Sequence, residues 1–264
     1  MRTDGTRNSL LSQPWSLART GKVFLNRHAP TWPDARVVVF DTPVDAATAR
    51  TWMPRGLRLP AAPRATIFVA DYPSTSFGVA YRECGVLLHA LRRGREVVHC
   101  AWMVVDDDTA MILGRELLGF PKKLARIELQ EADGRVHAAV VRRGTELLRL
   151  EARLGEGLTA RKAFPQPIVN VRGNPGFFPQ ALWQMTVPER FHGGHAAALE
   201  VEVRGSAEDP LDRLAIGTRE AAGAWLNVDL GAPPPDAGPV PRGVYPVGLV
   251  SPLWMARAYP FRVL

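Results

Sequence analysis

With 264 residues, 46% of them hydrophobic, the chain can bury one large core, so a single domain over 1–264 is expected. No run approaches the roughly 20 uncharged apolar residues of a membrane span, and Met1-Arg2-Thr3-Asp4-Gly5 opens no apolar export segment. Cys84 and Cys100 are too few for a disulfide framework and lack metal spacing, which suits a reduced cytoplasm. The net charge of +7 admits nucleic-acid binding, but the arginines are scattered among acids, so neither nucleic acid nor membrane is an expected partner.

In chain order, residues 1–20 read as an irregular arm. Residues 36–40 form the first β-branched run, and Thr42 before Pro43 reads as the cap of a helix running through Val44, Ala47 and Trp52. Strand patterns follow at 65–70, 96–105 and 109–113, then at 125–129, 135–141, 146–152 and 198–203. The run 91–96, Asp133-Gly134 and Arg143-Gly144 read as hairpin turns. A second short helix is expected near Asp209-Pro210, and 231–239 is a surface loop. Too few helices remain to cover a parallel sheet, so the expected class is α+β, mainly antiparallel β.

Four of the 33 cationic residues are lysines: Lys22, Lys122, Lys123 and Lys162. Two adjacent amines in a chain that otherwise uses guanidinium suggest amine chemistry, because an amine can lose its proton. A solvated pair beside a turn is the plainer alternative. The segment Gly114-Arg115-Glu116-Leu117-Leu118-Gly119-Phe120-Pro121-Lys122-Lys123-Leu124-Ala125 resembles the lysine signature of the acetoacetate decarboxylase family. Tyr81-Arg82-Glu83, with its glutamate 39 residues before Lys122, resembles that family's aromatic-x-Glu segment. Tyr245-Pro246-Val247-Gly248-Leu249-Val250 is similar to a late family segment. The resemblance thins over residues 1–30 and 165–225. It implies a closed, cone-shaped antiparallel β-barrel around a pocket and a homo-oligomer. It also implies an enzyme without metal or organic cofactor, since Lys122 itself would form a covalent imine with an oxo acid.

Such an imine withdraws electrons and lets a bond to the neighbouring carbon break or form through an enamine. Only a neutral amine attacks, and at the ordinary lysine pKa near 10.4 about one in two thousand is neutral at pH 7. An efficient enzyme lowers that value by about 3 to 4 units. For acetoacetate decarboxylase itself the general account is desolvation or a neighbouring cation, which makes Lys123 the candidate pKa-modulating residue. Two ammonium groups about 6 Å apart at an effective dielectric near 20 repel by roughly 3 kcal/mol, which falls short. Adjacent side chains in an extended segment also point to opposite faces. Burial is therefore expected to outweigh the charge of Lys123. Glu83 is the expected general acid or base, and Arg115 and Glu116 are expected to hold the lysine loop through an internal ion pair.

The pattern departs from the family in two places. Fifteen positions before Glu83, where the decarboxylases carry a second acid, stands Phe68. It would suit a substrate with an aryl or alkyl tail if it faces inward, and is plain strand core otherwise. The family's early arginine has no clear match, and Arg36 is the nearest candidate carboxylate clamp. Decarboxylation of a 3-oxo acid therefore stands only narrowly ahead of an aldolase-dehydratase joining pyruvate, or another 2-oxo acid, to an aldehyde. A non-catalytic small-molecule binding barrel is the third reading. His192-Gly193-Gly194-His195 lacks a third metal ligand and reads as a polar loop. His99 and His137 read as satisfied core histidines, and no glycine-rich phosphate loop suggests a nucleotide.

Overall fold

β-Branched and aromatic residues recur in the runs identified above, and in the computed structural model all of these runs but 109–113 join one sheet. The structure describes residues 30–172, 181–216, 220–231 and 244–246. The expected arm over 1–20, the loop after Gly231 and the segment after Pro246 lie outside the described residues.

The first half of the sheet contains β1 (Trp32–Pro43), β2 (Arg64–Tyr72), β3 (Tyr81–Arg92) and β4 (Arg95–Val105), followed by the short β5 (Lys122–Leu124). Next come β6 (Arg126–Ala132), β7 (Arg135–Arg142), β8 (Thr145–Gly157), β9 (Ile168–Arg172) and β10 (Ala181–Met185). The last three are β11 (Glu189–Val203), β12 (Ala221–Leu230) and β13 (Val244–Pro246). Their spatial order is β13-β10-β9-β4-β3-β2-β1-β12-β11-β8-β7-β6, with β5 also on β4. Every pairing is antiparallel except those of β4 with β5 and β9. Tight hairpins at Arg93-Gly94, Asp133-Gly134 and Arg143-Gly144 place both residues at positive φ, as type I′ turns demand.

The central strands bury both faces. Val38 and Phe40 of β1 enter one apolar cluster, while Val37 and Val39 enter another on the opposite face. This is why these strands read as continuous apolar runs rather than alternating ones.

Four expectations change. The expected closed barrel is an open, curled sheet among the described residues: β6 packs near β3 and β2 without a hydrogen-bonded ladder to them. The edge strand β6 is linked instead through the chain to the interior strand β4, since β5 pairs with β4 and only Ala125 separates β5 from β6. Residues 109–113 belong to a helix, α2 (Asp108–Leu118), which follows α1 (Ala46–Trp52). Asp107 caps α2 by accepting from the Ala110 N–H at 2.8 Å, and Gly119 ends it at φ 69°. A short apolar run fits either period, and here the end signals decide. The first helix starts at Asp45, which accepts from Thr48 N–H at 2.7 Å, while Thr42 stays in β1. Near Asp209 only a 3-10 turn forms, Leu211–Leu214.

The His192-Gly193-Gly194-His195 run lies within β11 rather than in a loop, with His192 paired to Asp229 at 2.9 Å. His99 is a buried core histidine bonded to the Val169 carbonyl, whereas His137 is partly exposed and paired with Glu151 at 2.6 Å. Among the described residues no helix is long and apolar enough to cross a membrane.

Candidate active site

The lysine loop is folded by its backbone. Gly119 takes the left-handed conformation that glycine allows at a helix end, and a Cβ there would lie 2.8 Å from the Val171 carbonyl oxygen. The buried Asn170 of β9 donates to the Leu118 carbonyl at 3.4 Å and accepts from the Cys100 N–H at 3.3 Å, tying the helix end to β4. Arg115 donates to the Lys122 carbonyl at 3.4 Å. It therefore positions the loop through the backbone, while Glu116 is exposed and makes no ion pair with it among the described contacts. The chain then re-enters the sheet as β5, with Lys122 opposite Met103 and Lys123 opposite Val104.

That alternation separates the two amines. Lys122 turns to the Met103 face, where its Nζ lies 2.6 Å from Glu83 Oε2, both side chains more than nine-tenths buried. The contact is an ion pair without an aligned hydrogen bond at Oε2. The amine sits 5.1 Å from the Tyr81 ring and 5.8 Å from the Phe120 ring. Its methylenes fill the space left by Gly114 of α2, where a Cβ would meet Lys122 Cδ and Cε at 2.5 Å.

Lys123 turns to the other face, pairs with Asp209 and donates to the Glu208 carbonyl. Asp209 also accepts from Trp102 Nε1 at 2.8 Å and faces Arg142 Nη1 at 3.6 Å, all in the opposite core. Lys123 is thus not directed at the Lys122 amine, and its charge is met by a carboxylate. Its role as a modulator through proximity gives way to a structural one.

Glu83 shares its strand face with Tyr81, Gly85 and Leu87, and with Tyr72 on the neighbouring β2. Burial, then the charge of Glu83, pushes both phenols well above the ordinary tyrosine range. For Tyr72 the approach of the Glu83 side chain acts in the same direction. For Tyr81 the bond accepted from Trp32 Nε1 at 2.9 Å opposes it.

Together these groups line a cavity of about 70 Å³, in which Lys122 and Glu83 are the charged residues among those described. Phe68 faces the cavity and packs edge-on against Phe164, ring centres 4.7 Å apart. Gly85 permits this, since a Cβ there would lie 2.7 Å from the Phe68 ring. Glu189 fixes the Phe164 segment by accepting from the N–H groups of Ala163 and Phe164 at 2.8 and 3.2 Å, and burial holds its carboxyl above the usual range.

Arg36 is not brought to this cavity. It stands one residue out of phase with the inward-facing Ala35 and Val37, is half-exposed, and pairs with Asp34 at 3.4 Å. The expected carboxylate clamp is therefore withdrawn from this residue. Tyr72, Asn170, Glu189 and Asp209 were missed by sequence reasoning. For Tyr72 a signal existed, because alternation places it on the same face as Phe68. The other three act through contacts between distant segments, which no local pattern marks.

Comparison with known proteins adds family context. The family model described as acetoacetate decarboxylase matches residues 13–234. A curated acetoacetate decarboxylase from Ralstonia nicotianae is 35% identical over 86 residues, 33% of this chain and 34% of that protein. The matched stretches span only 25 to 40% of the curated relatives' own length. In fold, the crystal structure of acetoacetate decarboxylase from Legionella pneumophila is similar, with TM-score 0.70 and 16% identity over 86% of this chain and 88% of that one. So is the enduracididine biosynthesis enzyme MppR complexed with pyruvate, with TM-score 0.63 and 18% identity over 77% and 88%.

Proposed function

Because the chain belongs to the acetoacetate decarboxylase family, we propose that it is a carbon–carbon lyase in which Lys122 forms an imine with an oxo acid and Glu83 handles the protons. The observation that carries this reading is the buried Lys122–Glu83 pair at 2.6 Å, on the wall of an otherwise apolar cavity. A reactive amine needs a nearby group to take its proton, and a carboxylate in contact supplies one.

The reaction proposed is decarboxylation of a 3-oxo acid. Neutral Lys122 Nζ adds to the ketone carbon, and the carbinolamine loses its oxygen as water, with protons relayed by Glu83. The electron pair of the bond to the carboxylate then moves into the iminium, releasing carbon dioxide and leaving an enamine. Protonation at carbon restores the iminium, and water hydrolyses it to the product ketone and free Lys122. An apolar lining favours this direction, because a carboxylate there loses hydration whereas carbon dioxide does not need it.

A second reading, aldol condensation with dehydration, uses the same amine. Phe68 in place of a second acid and the outward Arg36 favour it, as does the likeness to MppR, whose solved complexes include a condensation product of pyruvate and an aldehyde. Borohydride trapping with a panel of oxo acids, read by mass spectrometry, together with assay of carbon dioxide, tests both. The expected result is an adduct on Lys122 and carbon dioxide release with a 3-oxo acid. An adduct with pyruvate and aldehyde but no carbon dioxide would replace decarboxylation by condensation, and no adduct with any oxo acid would leave a binding barrel.

A further inference from the structure

Building on the imine-forming reading, we propose that Tyr72 is a positioning residue of this site, reaching from β2 to the Glu83 carboxylate and fixing its orientation toward the atoms bound at Lys122. Tyr72 stands opposite Tyr81 in the β2–β3 ladder, and Glu83 lies two residues further along β3. Phenol and carboxylate are thus diagonal neighbours on one sheet face, a separation long side chains span. Both line the cavity.

The contact has a reason to matter. Glu83 Oε2 touches Lys122 without an aligned hydrogen bond, so the ion pair supplies attraction but little directional constraint on the carboxylate. A neutral donor gives direction without competing for the charge. Tyr72 is itself held firmly: its side chain is buried, with its ring 4.8 Å from Tyr81 and 6.2 Å from Trp32. The Tyr81 hydroxyl is engaged by Trp32 Nε1. Burial and the neighbouring carboxylate keep the Tyr72 phenol protonated, so it acts as a donor and not as the general acid. Delivery of a proton to one enamine carbon requires that kind of fixed geometry.

The test compares the full chain with Tyr72→Phe, Glu83→Gln and the double variant, using an oxo acid that traps on Lys122. Tyr72→Phe should lower kcat about 10- to 100-fold with KM changed less than about threefold. Trapped adduct on Lys122 should stay near the parent yield. In the Glu83→Gln background, adding Tyr72→Phe should change kcat less than about twofold, because the tyrosine acts through the carboxylate. An unchanged kcat in Tyr72→Phe, or an equal loss in both backgrounds, would overturn the proposal. A second measurement is independent of turnover: alkaline titration of the Tyr72 phenol should move to lower pH in Glu83→Gln. Absence of that shift would overturn the coupling. Failure of every oxo acid to trap, with the shift present, would defeat the imine reading while the Tyr72–Glu83 coupling stands.

Discussion

Lys122 and Lys123 are neighbours in sequence with the same side chain, yet the sheet sorts them into two environments. Lys122 meets Glu83 beside free space, under aromatic rings and against Gly114. Lys123 meets Asp209 in the opposite core, with Trp102 and Arg142 supporting the same carboxylate. The difference teaches that a buried lysine–carboxylate pair is not by itself a reactive one. Room for a third molecule separates the two, and it comes from which face of β5 each residue occupies.

The sharpest way to break that comparison is to remove each amine in turn. Lys122→Met should abolish borohydride-trapped adduct and reduce turnover to background, with the fold intact by circular dichroism. Lys123→Met should instead cost about 3 kcal/mol of stability in denaturant unfolding, the low end for a broken buried pair, since Asp209 keeps only Trp102 and the more distant Arg142, while the folded fraction still forms adduct on Lys122. Adduct lost equally in both variants would dissolve the division. Next in size, Gly114→Ala would put a methyl at the Lys122 methylenes. The flexible amine must shift, so kcat should fall about 10- to 100-fold, with the melting temperature moving by only a few degrees. The smallest effect is expected at Arg36→Ala. Its pair with Asp34 is exposed, and such pairs contribute about 0 to 1 kcal/mol. Stability and KM should be unchanged within error, and a KM raised tenfold would return Arg36 to the site.

The lysine loop was legible because its signals are local. Gly119, Pro121 and the paired lysines occupy one stretch, and strand alternation alone put Lys123 on the face away from Lys122. Most strands were legible for the same reason. The run 109–113 was not, because four apolar residues after Thr109 satisfy either period and Asp107 and Gly119 had to be weighed with them. Arg36 failed by one step of parity, which no spacing count detects when both neighbours are buried. Asp209 was read as a helix start, since nothing near it in the chain announces Lys123, Trp102 or Arg142.

The one-residue passage from β5 to β6 has a mechanical consequence. Ala125, whose N–H bonds the Val105 carbonyl at 2.9 Å, is the tether between the edge strand β6 and the interior strand β4, which share no ladder. Between β6 and the strands it curls against, the connection is therefore a covalent strap and apolar packing rather than a seam of hydrogen bonds. Lengthening that strap with a flexible insert would loosen the loop closure at a modest entropic cost, on the order of 0.6 kcal/mol per doubling of length, and would leave every strand pair in register. The strap is separated by one residue from the pair that carries the two amines, so slack introduced there lies closer to Lys122 than to most of the fold.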